Sequence, residues 1–297
     1  MRNASSTLRF PLGGKHLHRF DPRRLIPLSV RRTFNRMFGH PNIGRYFEGD
    51  ADWTPPPGAF GELYAAHDGR MVMKWVHYLP IYDQLFERYR SGMPGSEPAR
   101  PIRMLEIGVL SGGSLDLWRR YFGPEATIFG IDINPTCAAY DTPENPVRIG
   151  SQADPDFLAR VVAEMGGVDI VLDDGSHIAK HQRASLDTLL PLLSEGGTYV
   201  VEDTQCSYWA SYGGGLRRPG QIIEVAKSMV DGLTKWAYRG PIGRRGRFAS
   251  EQIESITFFD SVVAFRKGTH GERTVHLVGG SDEERRRWSR ADWLGTD

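Results

Sequence analysis

The sequence predicts an α/β domain, doubly wound around a mostly parallel sheet, and three observations carry that reading. Short apolar runs at 102–107, 127–131, Val171-Leu172 and Tyr199-Val200-Val201 stop abruptly at acids or at glycine, as strands buried on both faces do. Stretches of helical length separate several of them, which parallel neighbours need for their crossovers. A glycine-rich turn, Glu106-Ile107-Gly108-Val109-Leu110-Ser111-Gly112-Gly113-Ser114, follows the first run.

At 297 residues the chain can bury a full core and still carry extensions. With 40% hydrophobic and 25% charged residues it has the composition of a soluble globular protein. Its net charge of +1 conceals a basic arm: residues 1–45 sum to +9, so the remainder carries −8. No apolar run suits a membrane span or a signal peptide, and Cys137 and Cys206 show no metal-ligand spacing. A reducing, cytoplasmic setting is expected.

The basic arm is assigned to 1–54. Ile26, Val30, Phe34 and Phe38 recur every four residues between Pro27 and Gly39, predicting a short amphipathic helix with Arg31, Arg32 and Arg36 off the apolar line. The arm is expected to pack on its own domain or on a second copy of the chain, as in a homo-oligomer. Surface association with anionic lipid is the sharper alternative. Nucleic acid is not expected, because the body is acidic and no recognised binding motif follows. Residues 55–101 read as a helical segment covering the core, with a helix interrupted or started near Pro80. Tyr78, Tyr82 and Phe86 are expected to lie against the sheet, and Lys74 and His77 are candidates to face a ligand.

The domain proper is assigned to 102–267. Strand, glycine turn, helix and second strand ending at Asp132 form a nucleotide-type half, with Asp132 placed to accept hydrogen bonds from ribose hydroxyls. Glu106 stands inside the turn, where it opposes a phosphate, and Gly108-x-x-x-Gly112 departs from the dinucleotide fingerprint. A cofactor with a cationic centre and no phosphate fits better, and S-adenosylmethionine has both properties. Glu106, Gly108, Ser111, Gly112 and Asp132 are its expected contacts. A third strand at 146–149 leads to Gln152, the candidate contact to the adenine ring, and Asp154 is a candidate cap for the helix through Met165.

Two further strand ends are acidic: Asp173-Asp174-Gly175-Ser176-His177 and Glu202-Asp203-Thr204. The stretch between them, 178–193, suits a crossover helix, so the acids can converge at the carboxyl edge of the sheet. Converging carboxylates repel unless a cation joins them, and a divalent metal is the simplest remedy. Asp173 is expected to border the methyl donor. The loop after the second acidic end carries Tyr208, Trp209 and Tyr212 ahead of three glycines, suiting an aromatic lid over a bound acceptor. A helix over 221–236 and a basic, Gly-rich connection at 239–247 come next. A hairpin over 253–267 turns near Asp260 and closes the sheet with one antiparallel strand. His181, four residues beyond His177, is expected to face solvent, and a zinc pair with His177 is disfavoured because the other donors are hard oxygens. The tail, 268–297, reads as a solvated charge run.

Taken together, the Glu106–Ser114 turn, the Asp173–His177 run and Val201-Glu202-Asp203-Thr204 resemble the motifs of metal-dependent sugar O-methyltransferases, the family of the macrocin, mycinamicin and rhamnosyl tailoring enzymes. The similarity covers about 60–267 in order. It implies a Rossmann-like methyltransferase fold with a seven-stranded sheet, Mg²⁺ held by Asp174, Glu202 and Asp203, and His177 as general base. Such chemistry suits the residue types, since Mg²⁺ takes oxygen ligands and acidifies a chelated hydroxyl, and imidazole accepts a proton near neutrality. The expected acceptor is a sugar hydroxyl on a glycolipid, polysaccharide or glycosylated natural product. The alternatives are a related metal-assisted enzyme on a catechol-like or β-lactam substrate, and a non-catalytic nucleotide-binding protein.

Overall fold

The computed structural model describes residues 53–96 and 99–289. The helix and basic face expected in the amino-terminal arm lie outside the described residues.

Seven strands form one sheet among the described residues: β1 (Arg103–Ile107), β2 (Thr127–Asp132), β3 (Val147–Ile149), β4 (Val168–Asp173), β5 (Leu193–Val201), β6 (Ile253–Phe259) and β7 (Val262–Lys267). Their order is β3-β2-β1-β4-β5-β7-β6, and β7 runs antiparallel to both its neighbours. The mostly parallel sheet with its terminal hairpin is therefore as the sequence predicts. Helices α1 (Ala59–Ala65), α2 (Leu79–Phe86) and α3 (Gly113–Phe122) cover one face. The other is covered by α4 (Pro155–Glu164), α5 (Ala179–Leu192), α6 (Ile222–Leu233) and α7 (Arg244–Gln252). No helix among the described residues is long and apolar enough to cross a membrane.

Local chemistry sets the helix boundaries. Asp154 accepts hydrogen bonds from the amides of Asp156 and Phe157, with Pro155 in the first turn, so the expected cap of α4 is in place. Pro80 likewise sits in the first turn of α2, just after a 3₁₀ turn at Val76–Tyr78. One expectation changes and another gains detail. The basic stretch 239–247 is not all connection, because α7 begins at Arg244 and buries Gly246 and Ala249. A Cβ on Gly232 of α6 would collide with the Gly246 carbonyl, so these two helices meet backbone to backbone. The tail also carries a helix, α8 (Asp282–Ser289). Ser281 and Glu284 start it by exchanging side-chain to amide hydrogen bonds, a capping box.

Register positions the carboxyl edge. Ile131, Ile107, Asp173 and Val201 lie side by side across β2, β1, β4 and β5. The next residues continue the ladder, with Gly108 N donating to Ile131 O, Asp174 N to Ile107 O and Glu202 N to Asp173 O. Strand order reverses between β1 and β4, which is where open α/β sheets open a crevice. Alternation then sorts the side chains. Met104, Leu172 and Val200 face α1–α3, whereas Leu105, Val171 and Tyr199 face α4–α6. Even-numbered Glu106, Asp174 and Glu202 thus point toward the helical segment, and Asp173 points away from it.

The amino-terminal end of β4 holds a different arrangement. Asp169 is fully buried, and the guanidinium groups of Arg100 and Arg103 each reach both of its oxygens, at 2.7 to 3.1 Å. Burial alone would raise its pKa, but the hydrogen bonds from Arg100 and Arg103 outweigh burial and hold it well below the usual carboxylate range. Because the folded value is depressed, the stabilisation is present above the ordinary range and is lost as pH falls through the native value. Asp169→Asn is expected to cost about 3 kcal/mol at neutral pH. In urea denaturation its deficit against wild type should narrow as pH drops below about 4.

Candidate active site

Asp174 and Glu202 do not stand unanswered at the strand ends. Lys74 Nζ lies 2.6 Å from Asp174 Oδ2, 2.9 Å from Glu202 Oε2 and 3.7 Å from Glu106 Oε1, with only 4% of its side chain exposed. Burial by itself would lower the Lys74 pKa, but Asp174, Glu202 and Glu106 together raise it well above the usual lysine range. The second oxygen of Glu202 accepts from Tyr82 OH at 2.6 Å. Glu202 is 1% exposed, and burial pushes its pKa up against Lys74 and Tyr82. Glu106 accepts from Ser114 Oγ at 2.7 Å, and burial pushes it up to about 7.

Strict alternation would send Asp203 to the opposite face from Glu202. Its backbone is left-handed, with φ 53, a costly conformation for a residue with a Cβ. The side chain therefore returns to the helical segment, where Asp203 Oδ1 accepts from Tyr78 OH at 2.8 Å, Gln205 Nε2 at 3.0 Å and Trp75 Nε1 at 3.1 Å. Asp203 Oδ2 lies 3.5 Å from His177 Nε2. His177 is left-handed too, at φ 54, and its Nε2 is 4.0 Å from Asp174 Oδ1. One ligand atom from each of Asp174, His177 and Asp203 falls within 4.8 Å of the others. Three donor-bearing residues converge, and the oxygens facing away from them are already held by neighbours.

On the other side of the crevice, Gly108 is at φ 99, and a Cβ there would collide with the Asp174 carbonyl. Only glycine lets β1 and β4 close this tightly. Asp132 Oδ2 accepts from the Val109 amide at 2.9 Å and Oδ1 from Asn134 N at 2.8 Å, so it organises the turn. Gly112, left-handed at φ 74, and half-buried Ser111 complete that turn. The segment carrying Lys74 passes over it. A Cβ on Gly113 would collide with the carbonyls of Arg70 and Met71, and Arg70 forks onto Asp116 at 2.6 and 2.9 Å.

No profile of a known protein family matches the chain. Individual relatives do. It is 34% identical over 232 residues to the 8-demethyl-8-(2-methoxy-alpha-L-rhamnosyl)-tetracenomycin-C 3'-O-methyltransferase of Streptomyces olivaceus, covering 75% of this chain and 57% of that one. It is 33% identical over 216 residues to the demethylmacrocin O-methyltransferase of Streptomyces fradiae, covering 68% of this chain and 52% of the relative. Among solved structures, the MycE methyltransferase of the mycinamycin biosynthetic pathway, in complex with Mg, SAH and mycinamycin VI, superposes with a TM-score of 0.62 at 28% identity. That match covers 79% of this chain and 60% of MycE. The chain is thus similar to sugar O-methyltransferases over two thirds or more of its own length. It spans little more than half the length of the two curated relatives.

Within this fold, several expected site residues are held by neighbouring side chains. Asp173 does not border the crevice. It is fully buried, and its oxygens are taken by Gln152 Nε2 at 3.0 Å, Ser185 Oγ at 2.6 Å and Tyr199 OH at 3.0 Å. Burial raises its pKa against those three donors. Gln152 is likewise tied to its neighbours, since its Oε1 accepts from Ser176 N at 2.8 Å, and so it pins the loop bearing His177. His181 is half-buried rather than solvent-facing, and its Nδ1 pairs with Ser176 Oγ at 2.9 Å. It stands outside the Asp174–His177–Asp203 group. In the aromatic loop, the Tyr212 ring centroid is 6.3 Å from that of His177 and 5.9 Å from that of Trp209, while Tyr208 is exposed. His77 is exposed, its ring beside Tyr78.

Tyr78 and Tyr82 do lie in the core, as expected of apolar cover, but their hydroxyls also hold the acids. Phenols rather than phenyl rings on a buried helical face were the available signal, because a buried hydroxyl requires a partner. Tyr82→Phe leaves Glu202 Oε1 without that donor and is expected to cost about 1–3 kcal/mol in denaturant unfolding in EDTA. Tyr78→Phe leaves Asp203 with the Trp75 and Gln205 donors and should cost less than about 1 kcal/mol in the same assay.

Proposed function

We propose that this chain is an S-adenosylmethionine-dependent, Mg²⁺-assisted O-methyltransferase acting on a sugar hydroxyl, on a glycosylated natural product, a glycolipid or a polysaccharide. The observation that carries the reading is the convergence of Asp174, His177 and Asp203, with Glu202 beside them, at the switch point between β1 and β4. The relatives' names support the sugar acceptor, and the Mg and SAH bound to MycE support the two cofactors.

The residues fit a cation, because an ammonium already sits between Asp174 and Glu202 and the carboxylates are hard oxygen donors. In this reading Asp174, Glu202 and Asp203 hold the divalent ion, and Gly108, Ser111, Gly112 and Asp132 line the donor's pocket, with Glu106 beneath it. When bound, the donor supplies an electrophilic methyl group and the ion acidifies a chelated hydroxyl. His177 takes the hydroxyl proton at Nε2, held in place by the loop that Gln152 and Ser176 brace. Tyr78, Trp75 and Gln205 fix Asp203 so that one oxygen remains directed at that centre. Tyr208, Trp209 and Tyr212 form a lid that stacks on the acceptor sugar and excludes water, with Tyr212 beside the base. The protein works in the cytoplasm as a homo-oligomer, with the basic arm serving packing between copies or contact with an anionic surface.

Asp174→Ala and Glu202→Ala are expected to abolish methyl transfer while calorimetry still detects S-adenosylhomocysteine binding. His177→Ala should lower kcat by about 10²–10⁴-fold and retain Mg²⁺ binding. The acceptor is sought with radiolabelled methyl donor against rhamnosylated and other deoxysugar-bearing compounds and cell-extract glycans. Undiminished transfer in excess EDTA would remove the metal from the mechanism, and absence of transfer to any acceptor would favour a non-catalytic binder.

A further inference from the structure

Lys74 is the unexpected member of the acid cluster. Its ammonium reaches three carboxylates from three strand ends, Glu106, Asp174 and Glu202, and two of these are the ones assigned to the divalent ion. Its own side chain is almost wholly shielded from solvent.

Resting on the metal-dependent reading above, we propose that Lys74 is a tethered cation that occupies the acid cluster until a divalent ion displaces it. A hard ion bound to Asp174 and Glu202 needs their oxygens at about 2.1 Å. An ammonium on the same two carboxylates would then face it within a few ångström across a poorly solvated gap, so the two cations exclude one another. The backbone has no need to move. Arg70 anchors the segment on Asp116, and the carbonyls of Arg70 and Met71 pack on Gly113, leaving the four-carbon stem of Lys74 as the flexible part. In the metal-free protein the ammonium spares buried Glu202 and Glu106 from standing unpaired, which would be strongly destabilising. On ion entry a charge of one is exchanged for a charge of two, so the affinity for the ion is lowered by the occupancy of Lys74.

The alternative geometry is concrete. An ion held by Asp174 Oδ1, Asp203 Oδ2 and His177 Nε2 would leave Lys74 where it is, as a permanent part of the site. Lys74→Met separates the two. Displacement predicts that the variant melts at lower temperature than wild type in EDTA, regains the loss in Mg²⁺, and binds Mg²⁺ about tenfold more tightly in calorimetry, with Mn²⁺ resonance titration as a parallel readout. In unmodified protein, acylation of Lys74 followed by mass spectrometry should be slow in EDTA and rise at saturating Mg²⁺; this measurement decides the matter if Lys74→Met fails to fold. Equal or weaker Mg²⁺ binding by the variant, or Lys74 still protected at saturating Mg²⁺, overturns displacement and leaves the metal-dependent reading intact. Failure of both proteins to bind any divalent ion overturns that reading and the displacement together.

Discussion

Carboxylates cannot be gathered at the dry end of a sheet unless something answers their charge, and the arrangement of this crevice follows from how that is done. Four parallel strands end in register, so Gly108, Asp132, Asp174 and Glu202 follow directly on one another across the edge. Register alone would make such an edge electrostatically unfavourable. It holds because a segment outside the sheet delivers Lys74, Trp75, Tyr78 and Tyr82 to the acids in order along the chain. The helical cover is therefore as much part of the site as the strands, and its aromatic face serves the core and the acids at once.

The second constraint is the polar knot on the opposite face. Asp173, Gln152, Ser185 and Tyr199 satisfy one another in a fully buried position, and through the Ser176 amide they fix the turn from which His177 projects. Adjacent aspartates thus have unrelated duties, one holding a loop from behind and one facing the crevice. A closed network of this kind rigidifies what it touches, because each lost bond would strand a buried partner.

Much of the fold was legible in the sequence, because its signals are local or periodic. Apolar runs ending at acids located the central strands, Asp154 and Pro155 marked a helix start, and the run to Lys267 announced the hairpin. The acid clusters at 173–174 and 202–203 were equally visible as a site. What the sequence did not disclose is which way each acid points. Alternation could have separated Asp173 from Asp174 once the strand's end was known. Nothing local reveals that Asp203 reverses its expected face through a left-handed backbone, since that conformation is stabilised by Trp75, Tyr78 and Gln205, two of them more than a hundred residues away. Lys74 was noticed as a candidate to face a ligand, but its three partners are contributed by separate strands and become neighbours only when the sheet forms. Helix α7 is not evident in the sequence because Gly240, Gly243 and Gly246 lower the helical propensity of the stretch, overridden by close packing of Gly246 on Gly232.

Placement of the Lys74–Tyr82 segment bears on how such a protein can be cut and recombined. A boundary drawn at the first strand would yield a tidy nucleotide-type core with every acid present but without Lys74, Trp75, Tyr78 and Tyr82, so the sheet by itself is not a portable site. The transferable unit is the sheet together with the chain that precedes it. Recombination among relatives that exchanged one without the other would produce well-ordered strands bearing an orphaned set of charges. Inheritance of the two pieces is in that sense linked by electrostatics rather than by the continuity of any single structural element.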